Sequence, residues 1–65
     1  MTIELLTTDK GTAVYLTQYD QGRSYVTQIS PTVQGNPAAA RWMLAQAERL
    51  HKAGWTGSEI FRKLS

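Results

Sequence analysis

Cysteine is absent from this chain of 65 residues, and histidine occurs once. Without thiols the chain can form neither disulfides nor thiolate metal sites, and one imidazole cannot supply a histidine-rich metal site. No apolar run approaches the ~20 residues that a membrane helix needs. The first four residues contain no basic region followed by an apolar stretch, so we expect no signal peptide. These absences predict a cytoplasmic protein that holds no metal or cofactor and does not enter a membrane.

The chain is also short for a stable domain. At 7.3 kDa, it belongs to a size class that buries only about 60% of its unfolded surface. A single core in so small a domain rarely contributes more than about 3–5 kcal/mol, and a partner chain often adds to it. A substrate pocket is difficult to enclose in this length. We therefore expect one domain over residues 1–65, and no enzyme.

The composition changes near Asn36. Residues typical of strands and two turn signals precede it, whereas Ala, Leu, Arg and Lys dominate after it. The formal charge changes at the same point: two basic against three acidic side chains give −1 before it, and five basic against two acidic give +3 after it. This division predicts an α+β fold in the order βββαα.

Three strands are predicted in the first half, at 2–8, 12–19 and 24–29, because Thr, Val, Ile, Leu and Tyr are frequent there. The turn signal Asp-x-Gly separates them twice, beginning at Asp9 and at Asp20. Glycine supplies the positive φ that tight hairpin turns need, and such short connections make neighbouring strands antiparallel. Residues 1–30 are therefore predicted to form a three-stranded antiparallel meander.

The register of the strands decides which side chains face the core, because a one-residue slip inverts every side chain. If the last two residues of each Asp-x-Gly signal form the loop, Val14 lies opposite Thr7 and Leu16 lies opposite Leu5. One face of the sheet then carries an aliphatic set: Ile3, Leu5, Val14, Leu16 and Ile29. The other face carries Glu4, Leu6, Ala13, Tyr15, Thr17, Tyr19 and Val26. Three-residue loops would change both sets.

The second half begins with a loop at 30–35 and continues as a long helix. Asn36 is a favoured N-cap, and Pro37 suits the first helical position because its missing N–H is not needed there. The helix is predicted over 37–53 and ends at Gly54, a typical C-terminal glycine. Its apolar face is predicted to hold Ala40, Met43, Leu44, Ala47, Leu50 and His51.

A second, shorter helix is predicted in the segment 56–65. Thr56 and Glu59 have the spacing of a capping box, with Trp55 and Ile60 at the positions of a hydrophobic staple. The helix is expected over 57–64. Its apolar side would consist of Ile60, Phe61 and Leu64.

We find no catalytic set. Nucleophilic catalysis needs a hydroxyl or thiol beside an oriented base, and His51, the only neutral base, is expected near a helix end. Asp9 and Asp20 begin turns, where aspartate commonly caps its own backbone. The five glycines occur singly rather than in a phosphate-binding string. We predict no catalytic, cofactor-binding or metal-binding residue.

An apolar surface is the first candidate for contact with another molecule. Two helices can cover one face of the sheet only, which leaves the other in water. Tyrosine, tryptophan and arginine are enriched at the energetic centres of interfaces. The expected partner-binding residues are Leu6, Tyr15, Tyr19, Val26, Trp42 and Arg49. The occupant would be a protein that the chain inhibits or regulates by steric occlusion, or a second copy in a homodimer. Small proteins of this kind are frequent in phages and mobile elements, so a regulator or inhibitor of that type is expected.

A basic surface is the alternative. Five cationic side chains of the helices could contact phosphates, each adding to a salt-sensitive affinity: Arg41, Arg49, Lys52, Arg62 and Lys63. The function would then be that of a nucleic-acid-binding accessory or regulatory protein. The competing interpretation is an ordinary solvated helix surface.

Two resemblances to DNA-binding domains accompany this alternative. One motif resembles the first two helices of a helix-turn-helix domain: Ala47-x-x-Leu50-x-x-x-Gly54-x-Thr56-x-x-Glu59-Ile60-x-x-x-Leu64. That family reads DNA with a following helix, and none follows in this sequence. Three strands followed by a helix are similar in outline to the arm-type DNA-binding domain of phage tyrosine recombinases, whose sheet reads DNA. Such a sheet needs cationic side chains, but Lys10 and Arg23 both stand at loops, so we assign neither family.

Overall fold

Three antiparallel strands followed by two helices confirm the predicted α+β order in the computed structural model, which describes all 65 residues. The strands β1 (Thr2–Thr8), β2 (Gly11–Asp20) and β3 (Arg23–Gln28) form one sheet in the order β1-β2-β3. The helices are α1 (Pro37–Lys52) and α2 (Gly57–Leu64). α1 lies over β1 and β2, and α2 packs beside α1 and β3. The element boundaries differ from the predicted ones by one residue at most.

The two Asp-x-Gly signals form different turns. In the second, Gln21 and Gly22 have φ of 51° and 78°, the pair of positive angles that a type I′ hairpin requires. In the first, Thr8 pairs directly with Gly11, so the glycine is the first residue of β2 rather than part of the loop. Identical sequence signals therefore give different loop positions.

The register of β1 against β2 consequently differs from the predicted one. Val14 lies opposite Leu5 rather than Thr7, and Leu16 lies opposite Ile3 rather than Leu5. These two pairings were wrong because the first loop begins one residue earlier than assumed, which shifts the partners by two. Side chains alternate with a period of two, so this shift leaves both faces of the sheet unchanged. The register of β3 is the predicted one.

The aliphatic face of the sheet and the two helices enclose the core. Its buried cluster consists of Val14, Leu16, Ile29, Met43, Ala47 and Ile60. Ile3, Leu5 and Leu44 are half-buried at the margin of this cluster. The absence of a side chain at Gly57 lets α2 approach the sheet, since a Cβ there would stand 3.0 Å from Cγ2 of Ile29.

Both helices begin with the predicted caps. The Asn36 side chain accepts a hydrogen bond of 3.1 Å from a backbone N–H in the first turn of α1. In the capping box of α2, the Thr56 N–H donates to the Glu59 carboxylate at 2.9 Å, and the Glu59 N–H donates to the Thr56 hydroxyl at 3.3 Å. The bond from the Thr56 backbone holds the pKa of Glu59 below its ordinary value. α1 ends at Lys52, and Gly54 follows with a φ of 97°.

The segment 30–35 has no helix or strand of its own, as predicted, yet it is not free. Thr12 and Val33 exchange two backbone hydrogen bonds of 2.8 and 2.9 Å, which hold the segment along β2 beyond the end of β3. Gly11 lies directly beneath it, since a Cβ there would stand 2.5 Å from the Val33 carbonyl oxygen. Ala13 lies between Thr12 and Val14, whose N–H bonds to Ser30 of the same segment, and it is buried although its side chain is on the face away from the helices.

Ser30 is the one fully buried polar residue. Its hydroxyl accepts a hydrogen bond of 2.8 Å from the Val14 N–H and donates one of 2.9 Å to the Pro31 carbonyl. The hydroxyl thus takes the place of a backbone carbonyl where β3 leaves β2. Sequence reasoning assigned this serine no role, because a Ser-Pro pair in a loop carries no sign of burial.

Candidate functional site

The face of the sheet turned away from the helices is the candidate site, here called the outer face. Since side chains alternate along strands, the register defines it by Thr2, Glu4, Leu6, Thr8, Ala13, Tyr15, Thr17, Tyr19, Ser24, Val26 and Gln28. The helices pack on the opposite face, where the core cluster lies. Glu4 is the only charged residue of this set.

A row of apolar side chains crosses the outer face diagonally. Its members, in spatial order, are Leu6, Tyr15, Val26 and Tyr19. Each member of this apolar row is the diagonal neighbour of the next one on the adjacent strand, two residues away from its direct partner. Large side chains bridge this diagonal spacing. Leu6, Val26 and Tyr19 are 39%, 57% and 71% exposed, whereas Tyr15 is half-buried in the middle. The structure thus joins four of the predicted partner-binding residues into one surface.

Trp42 and Arg49 lie apart from the apolar row. Both are exposed on α1, and the Arg49 guanidinium donates a hydrogen bond of 3.3 Å to the Gln46 side chain. α1 packs on the inner face of the sheet, and these residues stand on the side of the helix opposite its buried residues. They therefore face solvent on the other side of the molecule, and no single flat partner contacts all six residues.

The five cationic side chains of the alternative surface are all exposed. Arg49 and Lys52 belong to the last turn of α1, and Arg62 and Lys63 to the last turn of α2. Positive charge is favourable there, because the carbonyl end of a helix carries a partial negative charge. Arg41 stands apart from these four, at a cleft beside β1. Four of the five cationic side chains therefore stabilise the ends of the helices, which is a structural role.

No group of three or more metal-ligating side chains comes together in the structure. His51 is half-buried at the end of α1, where it shares a cleft with Trp55 and Ser58. Neither helix has the length and apolar character needed to cross a membrane. The chemical property that the candidate site does present is apolar surface in contact with water, in the apolar row.

Sequence reasoning missed two exposed features. Tyr25 is 49% exposed on the inner face, beyond the reach of the helices; its pairing with Gln18 could have placed it there. The outer edge of β1 is the second, since this strand has a neighbour on one side only. Comparisons with protein-family models, with curated proteins and with solved structures found no match for this chain.

Proposed function

We propose that this chain is a protein-binding module that docks through its outer face and acts by covering a surface of its partner. The observation that supports the proposal is the apolar row, which neither helix covers. Interface centres are enriched in tyrosine and depleted in charge, and the outer face carries two tyrosines and a single carboxylate. A domain with so small a core gains stability when such a face is buried.

The dimensions and charge of the outer face describe the partner. The row spans three two-residue steps along the strands, about 20 Å, which fits one side of an interface of ordinary size. The complementary surface is apolar at its centre, without charges opposite Tyr15 and Val26, and basic only where it meets Glu4. Such a module regulates or inhibits its partner by excluding other ligands from that surface.

Tyrosine substitutions test the proposal, with a matched tyrosine outside the site as the control. A photo-crosslinking amino acid at position 19 should capture the partner, whereas the same amino acid at position 25 should not. With that partner, Tyr15→Ala and Tyr19→Ala should each weaken binding by more than about 1 kcal/mol, and Tyr25→Ala should leave it unchanged. Calorimetry measures the affinities, and circular dichroism verifies that the variants fold. Wild-type affinity in both outer-face variants would contradict the proposal.

Nucleic-acid binding is the second candidate, favoured by the exposure of all five cationic side chains. It predicts an affinity that falls steeply between two salt concentrations and drops on neutralising Arg41, Arg49 or Lys52 to glutamine. The proposed function predicts neither effect. A gel-shift titration with duplex and single-stranded DNA at low and at physiological salt separates the two.

A further inference from the structure

We infer that β1 joins two copies of this chain into a homodimer with a continuous six-stranded sheet. The edge of the sheet is separate from the outer face, so this pairing does not depend on docking through that face. β1 is an edge strand of seven residues that contains no lysine, arginine, proline or glycine. Natural edge strands are usually protected by such residues, by bulges or by a covering element. Glu4 is its only charged residue.

The backbone of β1 offers a regular set of unpaired groups. Both backbone groups of Thr12 bond to Val33, so the even residues of β2 direct their N–H and C=O away from β1. The odd residues of β2, which lie opposite even residues of β1, bond to β1. The N–H and C=O groups of Ile3, Leu5 and Thr7 therefore point outward from the sheet.

These groups limit the antiparallel registers for two copies. Pairing must join odd residues with odd residues, and only a two-fold axis through Glu4, Leu5 or Leu6 engages more than one of these three outward-facing residues in each copy. An axis at Glu4 places two carboxylates side by side, which is unfavourable. An axis at Leu5 pairs it with the partner's Leu5 and pairs Ile3 with the partner's Thr7. This register uses all seven residues of each strand, which neither of the others does.

The position of α1 is compatible with a two-fold axis at Leu5. α1 lies over β1 and β2, so two copies place their α1 helices two strand spacings apart, about 10 Å. That is a normal distance for packed helices, and the twist of a sheet over two strands gives a crossing angle close to the commonest helix-packing class. The half-buried side chains of Leu5 and Leu44 stand on this side of the domain. Pairing would remove the rest of their surface from water.

Charge complementarity supports a second copy as the occupant. Arg41 and Glu48 are both exposed, and they stand two turns apart on the flank of α1 that carries Leu44. Arg41 shares a cleft with Leu5 and Thr7 of β1, which places this flank at the β1 edge. Across a two-fold axis the two flanks run antiparallel and face each other. Together they carry two positive and two negative side chains, so they do not repel each other as flanks of one sign would.

A proline substitution at a residue whose N–H points outward from β1 tests the strand pairing. Thr7→Pro removes a donor that no bond within the protomer uses, so it should yield a monomer of 7.3 kDa where the wild type sediments at twice that mass. Ser24→Pro is the matched control, because its N–H faces outward from the other edge of the sheet, on β3. Ser24→Pro should remain dimeric, as should Thr7→Ala, which keeps the N–H. Sedimentation equilibrium over a range of concentrations gives the mass, and circular dichroism verifies folding.

Charge reversal tests the helix flank. Arg41→Glu and Glu48→Arg each leave the two facing flanks with charges of one sign only, and each should raise the dimer dissociation constant about tenfold or more. The double variant restores opposite charges and should return the constant to within about threefold of the wild type. A monomeric wild type, a dimer that survives Thr7→Pro, or reversals without effect would overturn the inference. A dimer lost in Tyr19→Ala but kept in Thr7→Pro would instead place the contact on the outer face.

Discussion

Replacing Ile60 with alanine is expected to leave a large fraction of the chain unfolded at 37 °C. The Ile60 side chain is fully buried, and it is the contribution of α2 to the core cluster. Truncating a buried isoleucine to alanine costs about 2–5 kcal/mol, which approaches the whole stability of about 3–5 kcal/mol expected for a domain of this size. Urea denaturation followed by tryptophan fluorescence measures the loss.

The neighbouring Phe61→Ala is the control for this variant. Phe61 has the larger side chain, but it is 37% exposed, so we expect a loss of about 1 kcal/mol. Both variants should be compared at one protein concentration, because association adds a concentration-dependent term to stability. Equal midpoints for the two variants would mean that α2 does not anchor the core through Ile60.

Gly11→Ala should have the second largest effect. The residue has a φ of 129°, and a Cβ would stand 2.5 Å from the Val33 carbonyl oxygen. Relief requires the segment at Val33 to move, which breaks its two backbone bonds to Thr12. Backbone strain of about 1–3 kcal/mol and two hydrogen bonds of about 1 kcal/mol each add to a loss of at least about 3 kcal/mol.

Gly22→Ala separates the cost of backbone strain from the cost of the steric clash with Val33. Gly22 also has a positive φ, 78°, but a Cβ at this position would meet no atom within 4 Å, so only the backbone cost of about 1–2 kcal/mol remains. The difference between the two free energies of unfolding measures how firmly segment 30–35 is held on β2. Equal losses in the two variants would show that the segment yields without cost.

Local signals were sufficient to predict the elements of the fold. The caps at Asn36 and Thr56 are chemical features of single residues, and both form as expected. The two faces of the sheet were also correct, although β1 was misplaced by two residues, because alternation tolerates an even shift. No local signal determines which type of turn forms before Gly11. That choice depends on Val33, which packs against the glycine from far along the chain.

The candidate site was predictable only where it follows from alternation. Leu6, Tyr15, Tyr19 and Val26 share a face because of their spacing on strands. Trp42 was grouped with them for its residue type, although the aliphatic face of the sheet and the apolar face of α1 already indicated that the helix lies on the opposite side. The unpaired edge of β1 was not considered, although the predicted meander already placed β1 at an edge of the sheet.

The order of the elements, with both helices after the strands, affects the protein during its synthesis. The strands leave the ribosome first, but a small sheet without a packed helix is not stable in water. The 29 residues that follow Asn36 take roughly 1.5–6 s to synthesise at about 5–20 residues per second. Until those residues have emerged as well, the aliphatic face of the sheet is uncovered. The nascent chain is therefore most exposed to aggregation, and most accessible to chaperones, just before Ile60 completes the core.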